Sequence, residues 1–414
     1  MFLRADLSGV RVGLGEDIKV IGAINLSPES FYKGSIVRDP EEALQKAESM
    51  VEEGASIIDV GGMSTAPYLD TEVSAEEEVR RVVPVIKLLS NKLEVPISVD
   101  TQRSSVAKEA IDAGASIVND VSGLSDPKMP ELIADTGSSL ILGAPREPFD
   151  PYSDPISQLR RFLSHALEKA RNFGIPERRI VIDPLIGFFR SEIWYLWDCA
   201  VIRWLGGLFS LGRPICIGIS RKSFIGRILG VERPEDRLIG SMAAVTLAVE
   251  RGASLVRTHD VKETLQAVKI VEAIAGRPVK LNRDNVEVIE LPPLRKPDAK
   301  DFLIRMGVHP VGADIMSDKA RFYLLLFRRV KREVALIMKQ ELLACGGDTS
   351  LPKEIFDPER ERVDIILMAN RSQLKRLIEK LEMNASYAST LGEEFMNVSL
   401  LLKELIRMDN WFQE

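Results

Sequence analysis

The sequence predicts an α/β chain, a (β/α)8 TIM barrel followed by a small α+β C-terminal domain. Eight short β-branched runs alternate regularly with longer segments of helical period. Each run is apolar along its whole length, as suits parallel strands covered on both faces. The eight units fill about 260 residues, the usual size of such a barrel. A doubly wound open sheet is the competing reading of the same alternation.

The segment 1–17 alternates and contains Gly9, Gly13 and Gly15, which predicts a hairpin plugging the barrel floor. The strand runs are Lys19 to Asn25, Ser56 to Val60, Pro96 to Asp100, Ser116 to Asp120, Ser139 to Gly143, Arg179 to Asp183, Pro214 to Gly218 and Ser254 to Arg257. Between them lie amphipathic stretches such as Pro40 to Glu53, Ser74 to Leu93 and Arg103 to Ala113. Phrases like Glu53-Gly54-Ala55-Ser56 and Ala113-Gly114-Ala115-Ser116 end a helix on Gly and pass straight into a strand.

After Ala275-Gly276-Arg277-Pro278 the pattern changes. The boundaries expected are 1–280 for the barrel with its hairpin, 281–297 for a proline-rich linker and 298–414 for the second domain. That domain has strand signals at Phe322 to Leu326 and Val363 to Met368, and helical ones at Lys331 to Ala344 and near Glu393 to Met408. It concentrates no chemistry, which points to interaction or oligomerisation.

Composition narrows the classes. The chain has 414 residues, 45% apolar and 28% charged, with a net charge of −6. An acidic balance argues against nucleic acid and anionic membrane as partners. Cys199, Cys216 and Cys345 fit neither a zinc pattern nor a disulfide framework, so a reducing cytoplasm is expected. No run approaches the roughly 20 apolar residues that a bilayer span needs.

In a barrel of this kind, chemistry collects at the carboxyl ends of the strands. Those positions read Asn25, Asp59, Asp100, Asn119, Asp183, Ser220 with Lys222, and Arg257 with His259. A single strand-end Asp is usually a cap or an Asx turn. Capping does not, however, require seven polar ends in one ring. Asp and Asn supply paired acceptors and donors for a flat heterocycle with amino and lactam edges. Arg257 and His259 supply cations suited to phosphate oxygens, and Asn25 a neutral oxygen that Mg2+ accepts when phosphates complete its shell. The hydroxyl-rich loops Ser27-Pro28-Glu29-Ser30 and Ser64-Thr65-Ala66-Pro67 read as lids over the phosphate end.

These motifs resemble the dihydropteroate synthase family. The likeness runs from Ile18 to Gly276 and is carried by Asn25-Leu26-Ser27-Pro28, Asp59-Val60-Gly61-Gly62-Met63-Ser64-Thr65, Ser98-Val99-Asp100-Thr101, Asn119-Asp120-Val121-Ser122-Gly123, Asp183-Pro184 with Gly187-Phe188, Ser220-Arg221-Lys222-Ser223-Phe224 and Arg257-Thr258-His259. It implies a transferase that joins 6-hydroxymethyl-7,8-dihydropterin diphosphate to an arylamine and releases diphosphate, in folate or methanopterin synthesis. By the same resemblance Asp100, Asn119, Asp183 and Lys222 hold the pterin. Asn25, with Mg2+, and Thr65, Arg257 and His259 attend the diphosphate, and Phe188, Lys222 and Ser223 line the arylamine pocket. Lys222, Asp100 and Arg257 are the residues expected to carry the chemistry. The partners implied are the two small substrates and a second copy in a homodimer.

Three departures bear on this. Ala66 stands where the family has Arg, Leu185 and Phe189 stand where it favours Gly, and strand 5 ends without the usual His and Met. Two other readings stay open beside the synthase. One is a methyltransferase that passes a methyl group from a pterin to a corrinoid protein. The other is a non-catalytic pterin binder.

Overall fold

The computed structural model describes residues 3–27, 37, 39–64, 73–145, 147–275, 280–283, 286–289, 291, 294–357, 359–388 and 390–408. It divides into two compact units, Met1–Pro292 and Pro293–Glu414.

The first unit opens with an antiparallel hairpin of β1 (Arg4–Leu7) and β2 (Val10–Gly13). Eight parallel strands then close into a barrel, each bonded to the next and the last to the first. They are β3 (Lys19–Asn25), β4 (Ile57–Gly61), β5 (Ile97–Asp100), β6 (Ile117–Asp120), β7 (Ser139–Gly143), β8 (Ile180–Asp183), β9 (Ile215–Gly218) and β10 (Ala253–Thr258). The connecting helices are α1 (Pro40–Glu52), α2 (Ala75–Lys92), α3 (Ser104–Asp112), α4 (Met129–Thr136), α5 (Pro155–Asn172), α6 (Trp194–Arg203), α7 (Ser223–Leu229), α8 (Leu238–Glu250) and α9 (Val261–Ala275). The closed barrel rules out the doubly wound sheet.

Local chemistry fixes the helix limits. The Asp39 carboxylate accepts the Glu42 N–H at 2.8 Å, and the Ser74 hydroxyl accepts the Glu77 N–H at 3.2 Å, so both helices begin on side-chain caps. Gly114 ends α3 at φ +115, where a Cβ would lie 2.4 Å from Ser90 Oγ. Only Gly fits that turn.

The hairpin sits on the barrel floor. Ala5, Leu7 and Val12 form one buried cluster with Ile21, Ile57, Ile117, Ile141, Val181, Cys216 and Leu255 from seven strands. Its tip is tied down by Ser8, whose hydroxyl donates to the Ser116 carbonyl at 3.0 Å and whose N–H donates to Ser139 Oγ at 3.2 Å. With the floor filled, the opposite end of the barrel is left for ligands.

The stretch expected as a linker is not plain chain. Residues 280–289 include an antiparallel pair, β11 (Lys280–Arg283) and β12 (Val286–Ile289), and the helix α10 (Lys296–Arg305) starts before residue 298. The alternation Val286-Glu287-Val288-Ile289 carried that signal, masked by the prolines that follow.

In the second unit α10 is followed by α11 (Pro310–Ser317), β13 (Phe322–Lys331), α12 (Arg332–Ala344), β14 (Asp348–Ser350), β15 (Arg362–Asn370), α13 (Arg371–Tyr387) and α14 (Gly392–Met408). The strands form an antiparallel sheet in the order β13-β15-β14. One sheet face, with Val363, Ile365 and Leu367, packs on Met338 and Leu342 of α12, Leu377 and Leu381 of α13, and Phe395 and Leu402 of α14. Among the described residues no helix is long and apolar enough to cross a membrane, and Cys199, Cys216 and Cys345 are all free.

Candidate functional site

The carboxyl ends of the barrel strands open into one cleft with about 950 Å³ of empty space, its open mouth included. Asn25, Asp100, Asn119, Asp183, Phe188, Lys222, Ser223, Arg257 and His259 all line it. Every expected site residue that the structure describes is therefore in one place. Thr65 lies outside the described residues, as do Ala66 and most of both expected lid loops.

Asp59, expected at a strand end and given no particular role by the sequence, lies two residues before the end of β4 and proves to be the anchor beneath the ring. It is fully buried, and its Oδ2 accepts from Arg257 Nε at 2.6 Å and from Asn119 Nδ2 at 3.1 Å. Arg257 Nη2 reaches on to Asp100 Oδ2 at 2.9 Å. The guanidinium expected beside a diphosphate is thus clamped between two carboxylates. Burial would lower its pKa, but Asp59 and Asp100 outweigh that and raise it, so it stays charged. Asp100 is buried while its second oxygen, Oδ1, has no hydrogen-bond partner. An acceptor left unpaired in a lining residue is suited to a ligand donor.

Burial pushes the Asp100 carboxyl up to about 7, Arg257 pulling it down while Asp59 and Glu78 push it further. Asp183 is raised to about 6 by burial, opposed by the Leu185 N–H, which donates to its Oδ1 at 2.7 Å, and by Lys222. Leu185 has φ +57, a conformation that favours Gly. Lys222 is lowered to about 8 by burial and Arg257, against the pull of Asp183, Asp198 and Asp100. Its Nζ stands 4.5 Å from the centre of the Phe188 ring, a cation–π contact. Arg190 borders the same end, with Nη2 donating to Ser223 Oγ at 3.2 Å and its guanidinium 4.3 Å from the Trp194 ring.

His259 corrects an expectation. Its Nδ1 lies 3.0 Å from the Ala23 carbonyl, a pure acceptor, so Nδ1 carries the proton. Burial and the nearby Arg257 drive its pKa to about 3. It is neutral at pH 7, not the cation foreseen.

The turn after β9 sends its two cations in different directions. Arg221, at φ +53, donates Nη2 and Nε to the two oxygens of Asp260 at 2.7 and 3.0 Å, and Nη1 to the Pro234 and Glu235 carbonyls. Anchoring Arg221 in this way leaves Lys222 to face the cleft. Asp260→Ala strands a buried guanidinium, and the expected loss of roughly 3–5 kcal/mol is measurable by denaturant unfolding. A loss under 1 kcal/mol would show that the pair does not hold the turn.

No group of three or more His, Cys, Asp or Glu among the described residues could hold a metal. Asn25 fits only a cation that brings most of its oxygens with a phosphate ligand.

Comparison with known proteins agrees with this geometry. A profile described as pterin binding enzyme matches residues 21–259. Dihydropteroate synthase of Synechocystis sp. is 38% identical over 267 residues, 63% of this chain and 91% of its own length. The Bacillus subtilis enzyme of that name is 39% identical over 263 residues, covering 63% and 90%. The Xanthomonas albilineans dihydropteroate synthase structure with 4-aminobenzoic acid superposes with a TM-score of 0.60 at 37% identity, covering 67% of this chain and all of that one. A second structure of that enzyme, in complex with 7,8-dihydropteroate, gives 0.57 at 35% identity, with the same coverage. A profile spanning more than half of the chain, relatives matched along nine-tenths of their length and a barrel mouth with the expected polar ring all point one way: the chain belongs to the dihydropteroate synthase family of pterin-binding enzymes.

Proposed function

We propose that the chain condenses 6-hydroxymethyl-7,8-dihydropterin diphosphate with p-aminobenzoate, releasing diphosphate and forming dihydropteroate for folate synthesis. The observation that carries this is the place of Lys222 in the cleft. It shares the cleft with Asp100 and Asp183, whose charges act on it, and with Phe188, Ser223 and Arg190, its Nζ 4.5 Å from the Phe188 ring centre. The relatives' names, and the X. albilineans structures with 4-aminobenzoic acid and with 7,8-dihydropteroate, support the same pair of substrates.

Asp100, Asn119, Asp183 and Lys222 would bind the pterin edge. Cleavage of the bond between the exocyclic methylene and the diphosphate oxygen leaves positive charge on the pterin, and the carboxylates of Asp100 and Asp183 stabilise it. The amine nitrogen, held against Phe188 and Ser223, then forms a bond to that carbon and gives its proton to solvent. No protein nucleophile is required, so positioning supplies much of the rate. Asn25 would hold Mg2+ together with the diphosphate oxygens, and the cation, when bound, neutralises charge on the leaving group. Thr65 and His259 would complete the diphosphate end. Arg257, bonded to Asp59 and Asp100, would serve both ends.

A cytoplasmic homodimer belongs to the same proposal. It is supported by three unpaired cysteines and by exposed Ile228, Leu229, Ile239 and Leu247 on α7 and α8.

The test is diphosphate release with Mg2+ and either p-aminobenzoate or a ribosylated aminobenzene phosphate. Release dependent on p-aminobenzoate supports the reading. Release only with the larger amine would place the chain in methanopterin synthesis, and none with either would overturn the transferase reading.

A further inference from the structure

Asp198 is a buried carboxylate that the mechanism above does not use. It lies in α6, amid Trp194-Tyr195-Leu196-Trp197 and Cys199-Ala200-Val201, and is fully buried. Its Oδ1 accepts the Gly187 N–H at 2.8 Å, and its Oδ2 has no hydrogen-bond partner. It does not line the cleft, so it is not placed to touch substrate. Gly187, at φ +86, packs directly on Lys222: a Cβ there would lie 3.2 Å from Lys222 Cδ. The next residue is Phe188, whose ring the Lys222 ammonium covers. A short mechanical path therefore runs from Asp198 through one peptide group to both residues at the junction of the two substrate pockets.

The same turn is gripped from its other end by Asp183, through the Leu185 N–H. The Phe188 N–H closes back on the Leu185 carbonyl at 3.1 Å. Two carboxylates thus fix a four-residue turn, one from the barrel strand and one from the covering helix. A neutral hydrogen-bond acceptor would hold the Gly187 N–H with less desolvation, since burial raises the Asp198 carboxyl to about 7. An acid at this buried position is explained if its charge is used.

Resting on the function proposed above, we infer that Asp198 is a positioning residue, which fixes the Gly187–Phe188 turn against Lys222, so that the arylamine pocket stays formed beside the pterin. The groups around Lys222 are Asp100 from β5, Asp183 from β8, Asp198 from α6 and Arg257 from β10. Facing Asp198 are Lys222 and Arg190. Asp198 is thus the one carboxylate of that set supplied by a helix, and its loss withdraws negative charge from Lys222.

The experiment compares wild type, Asp198→Asn and Asp198→Ala in the full chain. It measures steady-state kinetics in both substrates across pH, with pterin diphosphate affinity read by calorimetry. Asp198→Ala is expected to raise the KM for p-aminobenzoate about tenfold while pterin diphosphate affinity stays within twofold. Asp198→Asn keeps the acceptor and is expected to restore that KM to within threefold. It also removes a negative neighbour of Lys222, so the alkaline limb of its pH profile moves to lower pH. Two results overturn the role. One is unchanged kinetics and limb in both variants. The other is equal loss of both substrates in Asp198→Ala without rescue by Asp198→Asn. An inactive wild type is a different failure, because it removes the function on which the inference rests and the inference with it.

Discussion

Asp100→Asn is expected to weaken pterin diphosphate binding by about 2–4 kcal/mol, roughly 30- to 1,000-fold, while the barrel stays folded. One oxygen of Asp100 holds Arg257 at 2.9 Å and the other is buried without a partner. An Asn cannot satisfy both directions. If its NH2 faces Arg257, donor meets donor; if it faces the ligand, the acceptor a pterin N–H needs is gone. The ionisation of Asp100 gives a second signature. Burial raises it from 3.8 to about 7, so its charge costs the free enzyme free energy as pH rises from about 4 through about 7. A ligand whose donors favour the carboxylate relieves that cost. Wild-type affinity should therefore increase with pH and level off above about 7, with a smaller step near 6 from Asp183. The variant keeps only the lower step. Because an ionised Asp100 penalises the fold, the melting temperature at pH 8 should not fall. Calorimetry from pH 5.5 to 8.5 decides this. A variant that binds within twofold of wild type removes Asp100 from the pterin site.

The sequence showed the barrel clearly because its strands are unbroken apolar runs and its helices end on caps and glycines that read locally. It showed the ring of polar strand ends for a related reason: Asn25, Asp100 and Asp183 interrupt those runs where strands finish. What it concealed is depth along a strand and the direction of a side chain. Asp100 closes β5 and faces the cleft, whereas Asp59 lies two residues before the end of β4, level with Ser98, and holds Arg257 and Asn119 from beneath. Arg221 and Lys222 are adjacent, and a positive φ together with Asp260 separates their roles. His259 looked cationic because its type permits charge, but burial beside Arg257 decides otherwise. Asp198 left one faint trace, the single acid in a helix otherwise apolar or aromatic up to its final Arg203. In the second unit α13 was missed, although Asn370 and Gln373 form a reciprocal capping box at its start. That signal follows directly on β15, so the strand pattern absorbed it.

Lys222→Ala is expected to lower kcat/KM by 10²- to 10³-fold, on the order of 3–4 kcal/mol of transition-state stabilisation, with the fold retained. The ammonium stands 4.5 Å from the centre of the Phe188 ring, with the carboxylates of Asp183, Asp198 and Asp100 around it. Its ionisation should be visible in the wild-type rate. Lys222 is lowered to about 8, and Asp100 and Asp183 are raised to about 7 and about 6. Activity that needs the ammonium charged and the carboxylates ionised rises through the acid pair and falls above about 8, giving a narrow maximum between the two limbs. The acid limb belongs to the interacting carboxylates as a set, whereas the alkaline limb belongs to Lys222. Lys222→Ala should abolish the alkaline limb. It should also move the acid limb upward, because the carboxylates lose a cation that held them down. Lys222→Arg keeps the charge but does not titrate in this range, so it too should lose the alkaline limb while retaining more activity than Ala. Profiles of kcat/KM for the three proteins separate these effects. An alkaline limb near 8 that persists in Lys222→Ala would assign the titration to another group, and full activity in that variant would remove Lys222 from the reaction.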